Sequence, residues 1–152
     1  MSSARELEGA GQQLGEEAAI ATLVVDASVV VAALIDGGPV GGWADALVES
    51  HRLVAPSLMP FEVVNILRRV ELRGDISSDV ATLAHQDLLA MAVTTFAHDV
   101  VADRIWELRH TVTAYDAGYV ALAEGLDVGL ATLDRRLAVA PGPVCAFVLP
   151  DL

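Results

Sequence analysis

The stretch LVVDASVVV, residues 23–31, is apolar at every position but two, Asp26 and the small Ser28. Its first half reads as a buried strand and its second, continued by AALI, as a helix, so the carboxylate falls at the turn between them. An unpaired carboxylate in a protein interior costs several kcal/mol. Asp26 must therefore be paired, or stand where a strand leaves the core. The same alternation runs outward along the chain: TLVVD as strand, 28–36 and WADALVES as helices, RLVA as strand, and a long helix over about 57–73. Helices over about 78–91, 98–109 and 114–125 follow, then VGLAT as strand, a short helical turn at 134–139 and CAFVL as a last strand. Continuous apolar strands alternating with helices indicate a parallel sheet covered on both faces. The expected fold is α/β, a doubly wound sandwich whose central, mostly parallel sheet has four to five strands and helices on both faces. Ligands of such sheets bind beyond the carboxyl ends of the strands, where Asp26 would stand.

At 152 residues, 54% of them hydrophobic, the chain suffices for one compact domain. Residues 1–20 are polar and acidic with a weak helical pattern and are expected as a flexible N-terminal extension or a loosely docked helix, with the domain proper over 21–152. The single cysteine, Cys145, allows no internal disulfide, and no stretch approaches the ~18 apolar residues of a membrane span. The N-terminus lacks the basic start and apolar core of a secretory signal, so a cytoplasmic protein away from the membrane is expected.

Net charge is −12, and all nine basic residues are arginine. Without lysine the chain has neither a phosphate-binding P-loop nor a Schiff base. A phosphotransfer receiver, which needs a lysine near its site, is excluded on the same ground. The acidic balance argues against holding nucleic acid by bulk charge, so any such contact is confined to a site. His51, His85, His98 and His110 have no mutual i, i+4 spacing and no cysteine companion, which disfavours a histidine metal site. No G-x-S-x-G elbow supports a serine nucleophile.

Four acids stand apart from those on outward helix positions. Asp26 and Asp134 both end an apolar strand run just before a helix, the second in VGLATLDRRL beside Thr132. Each has a plain alternative as a helix N-cap. Taken together, two strand-end carboxylates on adjacent parallel strands call for a cation between them. Asp116 follows Thr113 by three residues in TVTAYDAGYVALAE, close to a capping box. Glu62, in PSLMPFEVVNILRRV, lies at the border of the stripe Met59, Val63, Ile66, Leu67 and Val70, where a solvated glutamate or an ion pair with Arg69 is the ordinary use.

Lined up in order, VVDASVVVAAL, APSLMPFEVVNIL, TAYDAGYVALAEGL and LATLDRRLA make residues 22–150 resemble the PIN-domain ribonucleases, specifically the VapC toxins of bacterial toxin–antitoxin pairs. Each run is a weak pattern alone; four in this order are fairly specific. The resemblance implies a metal-dependent endoribonuclease in which Asp26, Glu62, Asp116 and Asp134 are catalytic and hold Mg2+ or Mn2+. Carboxylate oxygens suit such hard cations, which activate water and neutralise a scissile phosphodiester. Asp26 would be the central ligand, Asp116 and Asp134 further ligands, and Glu62 a ligand through water or the residue that orients the attacking water. Ser28, Thr132 and Asn65 would support the carboxylates or a bound water, or else cap helices and face solvent. The chain departs from many family members in having Arg135 and Arg136 directly after Asp134, where those carry a further acidic or polar residue; this weakens the case for a second, tightly held ion and leaves an arginine to contact phosphate or face solvent. The resemblance also implies an RNA substrate, a homodimer and a VapB-like antitoxin lodged against the long helix 57–73 and the helices around 28–50. The rival reading is a catalytically inactive PIN-like domain that binds its antitoxin or an RNA without cutting. Presence of all four acids argues against it.

Overall fold

The apolar runs become strands β1 (Thr22–Val25), β2 (Arg52–Pro56), β4 (Gly129–Ala131) and β5 (Phe147–Val148) in the computed structural model, which describes residues 2–16 and 20–152. A further strand, β3 (Val93–Phe96), was not among those expected. It is the outer strand beside β2, and Thr94 and Thr95 both face solvent, so VTTF carries no buried apolar run to announce it. All five strands are parallel, in the order β3-β2-β1-β4-β5. Val24, Val54 and Leu130, one from each of the three central strands, are fully buried. Each such side chain contributes about 1.5–3 kcal/mol relative to exposure.

The helices are α1 (Ser2–Glu16), α2 (Ala27–Ile35), α3 (Pro39–Ser50), α4 (Met59–Leu72), α5 (Ser78–Ala90), α6 (His98–Glu107), α7 (Ala114–Leu126) and α8 (Arg135–Val139). From β1 the chain steps outward to β2 and β3, then returns to β4 on the other side of β1. Right-handed crossovers in opposite directions place α2–α5 on one face and α6–α7 on the other. The packing agrees: α2 lies against α3, α4 and α5, whereas α6 packs on α7 and both touch α1. The cover that the all-round apolar α2 demands thus comes from within the chain. The apolar side chains left open on this face belong to α4 and α5.

Two close approaches depend on glycine. The chain bends by 109° between α2 and α3, and a Cβ on Gly41 would lie 1.7 Å from the Asp36 carbonyl oxygen. A Cβ on Gly125 of α7 would come within 2.7 Å of Leu7, the buried residue through which α1 joins the core. Of the extension expected over 1–20, residues 1 and 17–19 lie outside the described residues, and Ser2–Glu16 form α1. Behind the sheet, Arg104 of α6 donates from Nε to Glu124 Oε2 at 2.7 Å and from Nη2 to the Gly142 carbonyl at 2.9 Å, while the Val144 amide donates to Glu124 Oε1 at 2.8 Å. This clasp ties α6 and α7 to the segment leading into β5. Cys145, expected inside the last strand, is half-buried just ahead of it. No single helix among the described residues is long and apolar enough to cross a membrane.

Candidate active site

The strand order reverses direction between β1 and β4, and a parallel sheet opens a crevice at such a point, beyond the carboxyl ends of the strands. Val25 pairs with Ala131 there, and the Asp26 amide continues the ladder to the Ala131 carbonyl at 3.1 Å. Asp26 and Thr132 are therefore neighbours, and among the described residues they are the polar side chains that the core buries. Asp26 receives hydrogen bonds from the Ser28 hydroxyl on one oxygen and the Thr132 hydroxyl on the other, and from the Val29 amide at 3.1 Å. The last of these is the helix cap of the plain alternative. Burial pushes the Asp26 pKa up, and the hydrogen bonds it accepts, that of the Ser28 amide among them, offset only part of that. The hydroxyls are themselves fixed: Thr132 Oγ1 accepts from the Asp134 amide at 3.0 Å, and Ser28 Oγ from the Leu133 amide at 3.2 Å.

Glu62 lies in the first turn of α4, half-buried, and does not pair with Arg69. Its Oε1 accepts instead from the hydroxyl of Tyr119 on α7 at 2.7 Å. Burial raises the Glu62 pKa, the Tyr119 bond lowers it, and the charges of Asp116 and Asp26 raise it further. Asp116 opens α7, with its amide donating to the Thr113 hydroxyl at 3.1 Å while its half-buried carboxylate does not reach back to complete a capping box. Burial and the charge of Asp134 push its pKa up. Asp134 caps α8, accepting from the Arg136 and Leu137 amides at 2.9 and 3.3 Å. The four carboxylates thus interact in a row, Asp26 with Glu62, Glu62 with Asp116 and Asp116 with Asp134.

Of the supporting residues read from the sequence, Ser28 and Thr132 sit on Asp26, whereas Asn65 is exposed and outside the network. Arg135 and Arg136 are both exposed, and Arg135 donates to the Pro150 and Leu152 carbonyls at 2.9 and 3.2 Å. Sequence reasoning missed Tyr119. Its place three residues after Asp116, one helical turn on, was the available signal, because a side chain there lies on the same face as the acid.

Comparison with known proteins gives the family. The PIN domain family model matches residues 23–143. Ribonuclease VapC1 of Mycobacterium tuberculosis is 42% identical over 127 residues, covering 83% of this chain and 96% of that protein. Among solved structures, VapC20 of Mycobacterium tuberculosis, a toxin that cleaves the sarcin–ricin loop, superposes with a TM-score of 0.61 at 20% identity over 84% of this chain and 99% of its own. VapBC2 of Rickettsia felis, solved with a DNA fragment from the promoter of that pair, superposes with a TM-score of 0.60 at 11% identity, covering 86% and 99%. With four-fifths of its length matching one family model and a closely similar curated ribonuclease spanning most of it, this chain belongs to the PIN-domain family, among the VapC ribonucleases.

Proposed function

We propose that this chain is the endoribonuclease toxin of a toxin–antitoxin pair and that it hydrolyses RNA phosphodiester bonds at Asp26, Glu62, Asp116 and Asp134 with a divalent cation, Mg2+ or Mn2+. The observation that carries this reading is the gathering of four carboxylates at one strand-end crevice with none of the described ion pairs falling on them. Three have pKa values raised by burial, and two of those also by their neighbours' charge, a condition that a cation relieves. The donors are all oxygen, as hard divalent ions prefer. Among the described residues no three His, Cys, Asp or Glu side chains are so placed that they could hold a metal ion by themselves. Mg2+ is commonly bound through one or two carboxylates with waters and substrate phosphate oxygens for the rest, so a site here would be completed only with those. VapC ribonucleases with PIN domains are metal-dependent in general.

When bound, the ion supplies charge neutralisation at the scissile phosphate and a more acidic water. Asp26, Asp116 and Asp134 would hold it, and Glu62 would bind it through water or orient the attacking water. Ser28 and Thr132 fix the two oxygens of Asp26, one hydroxyl each. Arg136, exposed beside Asp134, is placed to contact an RNA phosphate.

A VapB-like antitoxin and a homodimer complete the reading, with the toxin acting in the cytoplasm. Support for a protein partner comes from the VapBC2 likeness, from a net charge of −12 that attracts a basic polypeptide, and from exposed apolar surface. Phe61 and Leu89, 79% and 73% exposed, flank a groove of about 390 Å³ between α4, α5 and β3. The test is cleavage of a structured RNA pool by purified protein in Mg2+ or Mn2+, beside EDTA and Asp26→Asn. Cleavage lost in both controls is the expected result. Equal behaviour of wild type and Asp26→Asn, with or without metal, would leave a binding module whose acids are helix caps.

A further inference from the structure

Tyr119 is 2% exposed, and the structure directs its hydroxyl neither to solvent nor to a backbone carbonyl. The proton goes to Glu62 Oε1 at 2.7 Å, and the Ala27 backbone N–H faces the same phenol oxygen. The hydroxyl therefore lies between α4 and the start of α2, next to Asp26, on the helix that also carries Asp116. A phenylalanine at this position would fill the core equally well, so packing does not explain the oxygen. Electrostatics does. Glu62 stands beside Asp116 and Asp26, whose charges repel it, and a half-buried glutamate in the first turn of a helix is free to swing outward to water.

We propose that Tyr119 is a positioning residue for the ribonuclease site: its buried phenol holds the Glu62 carboxylate inward against that repulsion and leaves Glu62 Oε2 as the oxygen turned to the cation and its water. The inference rests on the metal-dependent reading above. Glu62 has no other hydrogen-bond donor among the described residues.

The test uses the full chain in four forms, wild type, Tyr119→Phe, Glu62→Gln and the double variant, with Mn2+ binding read by electron paramagnetic resonance and RNA cleavage followed against Mn2+ concentration. Loss of a residue that orients a metal ligand typically weakens metal affinity or activity by about 10–100-fold. Tyr119→Phe is expected to raise the half-saturating Mn2+ concentration by that order, with KM for RNA little changed. In the Glu62→Gln background, where the ligand charge is already gone, the second substitution is expected to add a smaller loss than in wild type. Wild-type Mn2+ affinity in Tyr119→Phe overturns the proposal, as does an equal loss in both backgrounds. A further readout needs no variant at position 119: with two tyrosines in the chain, the Tyr119 ¹³Cζ resonance is expected to shift on saturation with Mg2+ in wild type and not in Glu62→Gln. A resonance unmoved in wild type also overturns it. Failure of the underlying reading looks different, since wild type would then bind no Mn2+ and Asp26→Asn would match it in cleavage.

Discussion

Replacing Thr132 by valine removes one oxygen from a fully buried side chain and keeps its volume. Two hydrogen bonds go with that oxygen, the one donated to Asp26 and the one accepted from the Asp134 amide at 3.0 Å. A bond to a charged acceptor is worth about 1.5–3 kcal/mol and one between neutral groups about 1 kcal/mol. Together the loss comes to about 3 kcal/mol, which for a domain of this size lowers Tm by roughly 6–12 °C. Thr132→Ser is the matching control: it keeps the hydroxyl and gives up a methyl group, for about 1 kcal/mol. The assay is urea denaturation in EDTA followed by tryptophan fluorescence, comparing midpoints at constant slope. The expected order of stability is wild type, then serine, then valine, the reverse of what volume alone would give. The gap between the two variants is expected to narrow in acid, where Asp26 is protonated and the lost bond is of the neutral kind. Valine matching or exceeding serine in stability at pH 7 would refute the claim that Thr132 is there for its hydroxyl.

Divalent cations are expected to stabilise the fold: Mg2+ or Mn2+ at a hundredfold excess over its Kd adds about 2.7 kcal/mol, roughly 5–11 °C in Tm, and Asp26→Asn abolishes the effect. In EDTA the sign of the pH dependence follows from the raised pKa values of Asp26, Glu62 and Asp116. Groups that bind protons more tightly when folded favour the fold most below the ordinary carboxylate range, and that advantage is lost as pH rises through their raised titrations. The stability of Asp26→Asn relative to wild type is thus expected to grow from pH 4 to pH 8; a constant difference in urea denaturation would contradict it. Arg104→Met is expected to destabilise by about 2 kcal/mol through loss of the Glu124 and Gly142 contacts, while the Mn2+ dependence of cleavage stays unchanged. A shifted Mn2+ midpoint would show that the clasp reaches the site.

How far the sequence could be read varied with how each residue acts. Strands β1, β2 and β4 were legible because they are buried on both faces and read as unbroken apolar runs; β3, paired on one side and exposed at Thr94 and Thr95, carries no such run. The capping alternatives weighed for Asp26 and Asp134 turned out compatible with a site rather than opposed to it, since both cap a helix while standing among the other acids. For Glu62 the reading within the helix pointed to Arg69, about two turns on, and the actual partner is Tyr119, 57 residues on. Spacing within one helix cannot reveal a bond made across two. Asn65 illustrates the opposite case, in which a polar residue one turn after an acid points away to solvent.

The hydrogen bond from Thr132 to Asp26 joins positions 106 residues apart. While the chain is being synthesised, Asp26, Glu62 and Asp116 all emerge before the strand that completes the crevice. A nascent polypeptide lacking β4 has neither the hydroxyl that fixes Asp26 nor Asp134 to end the row of acids. The crevice is therefore complete only once nearly the whole domain has been synthesised.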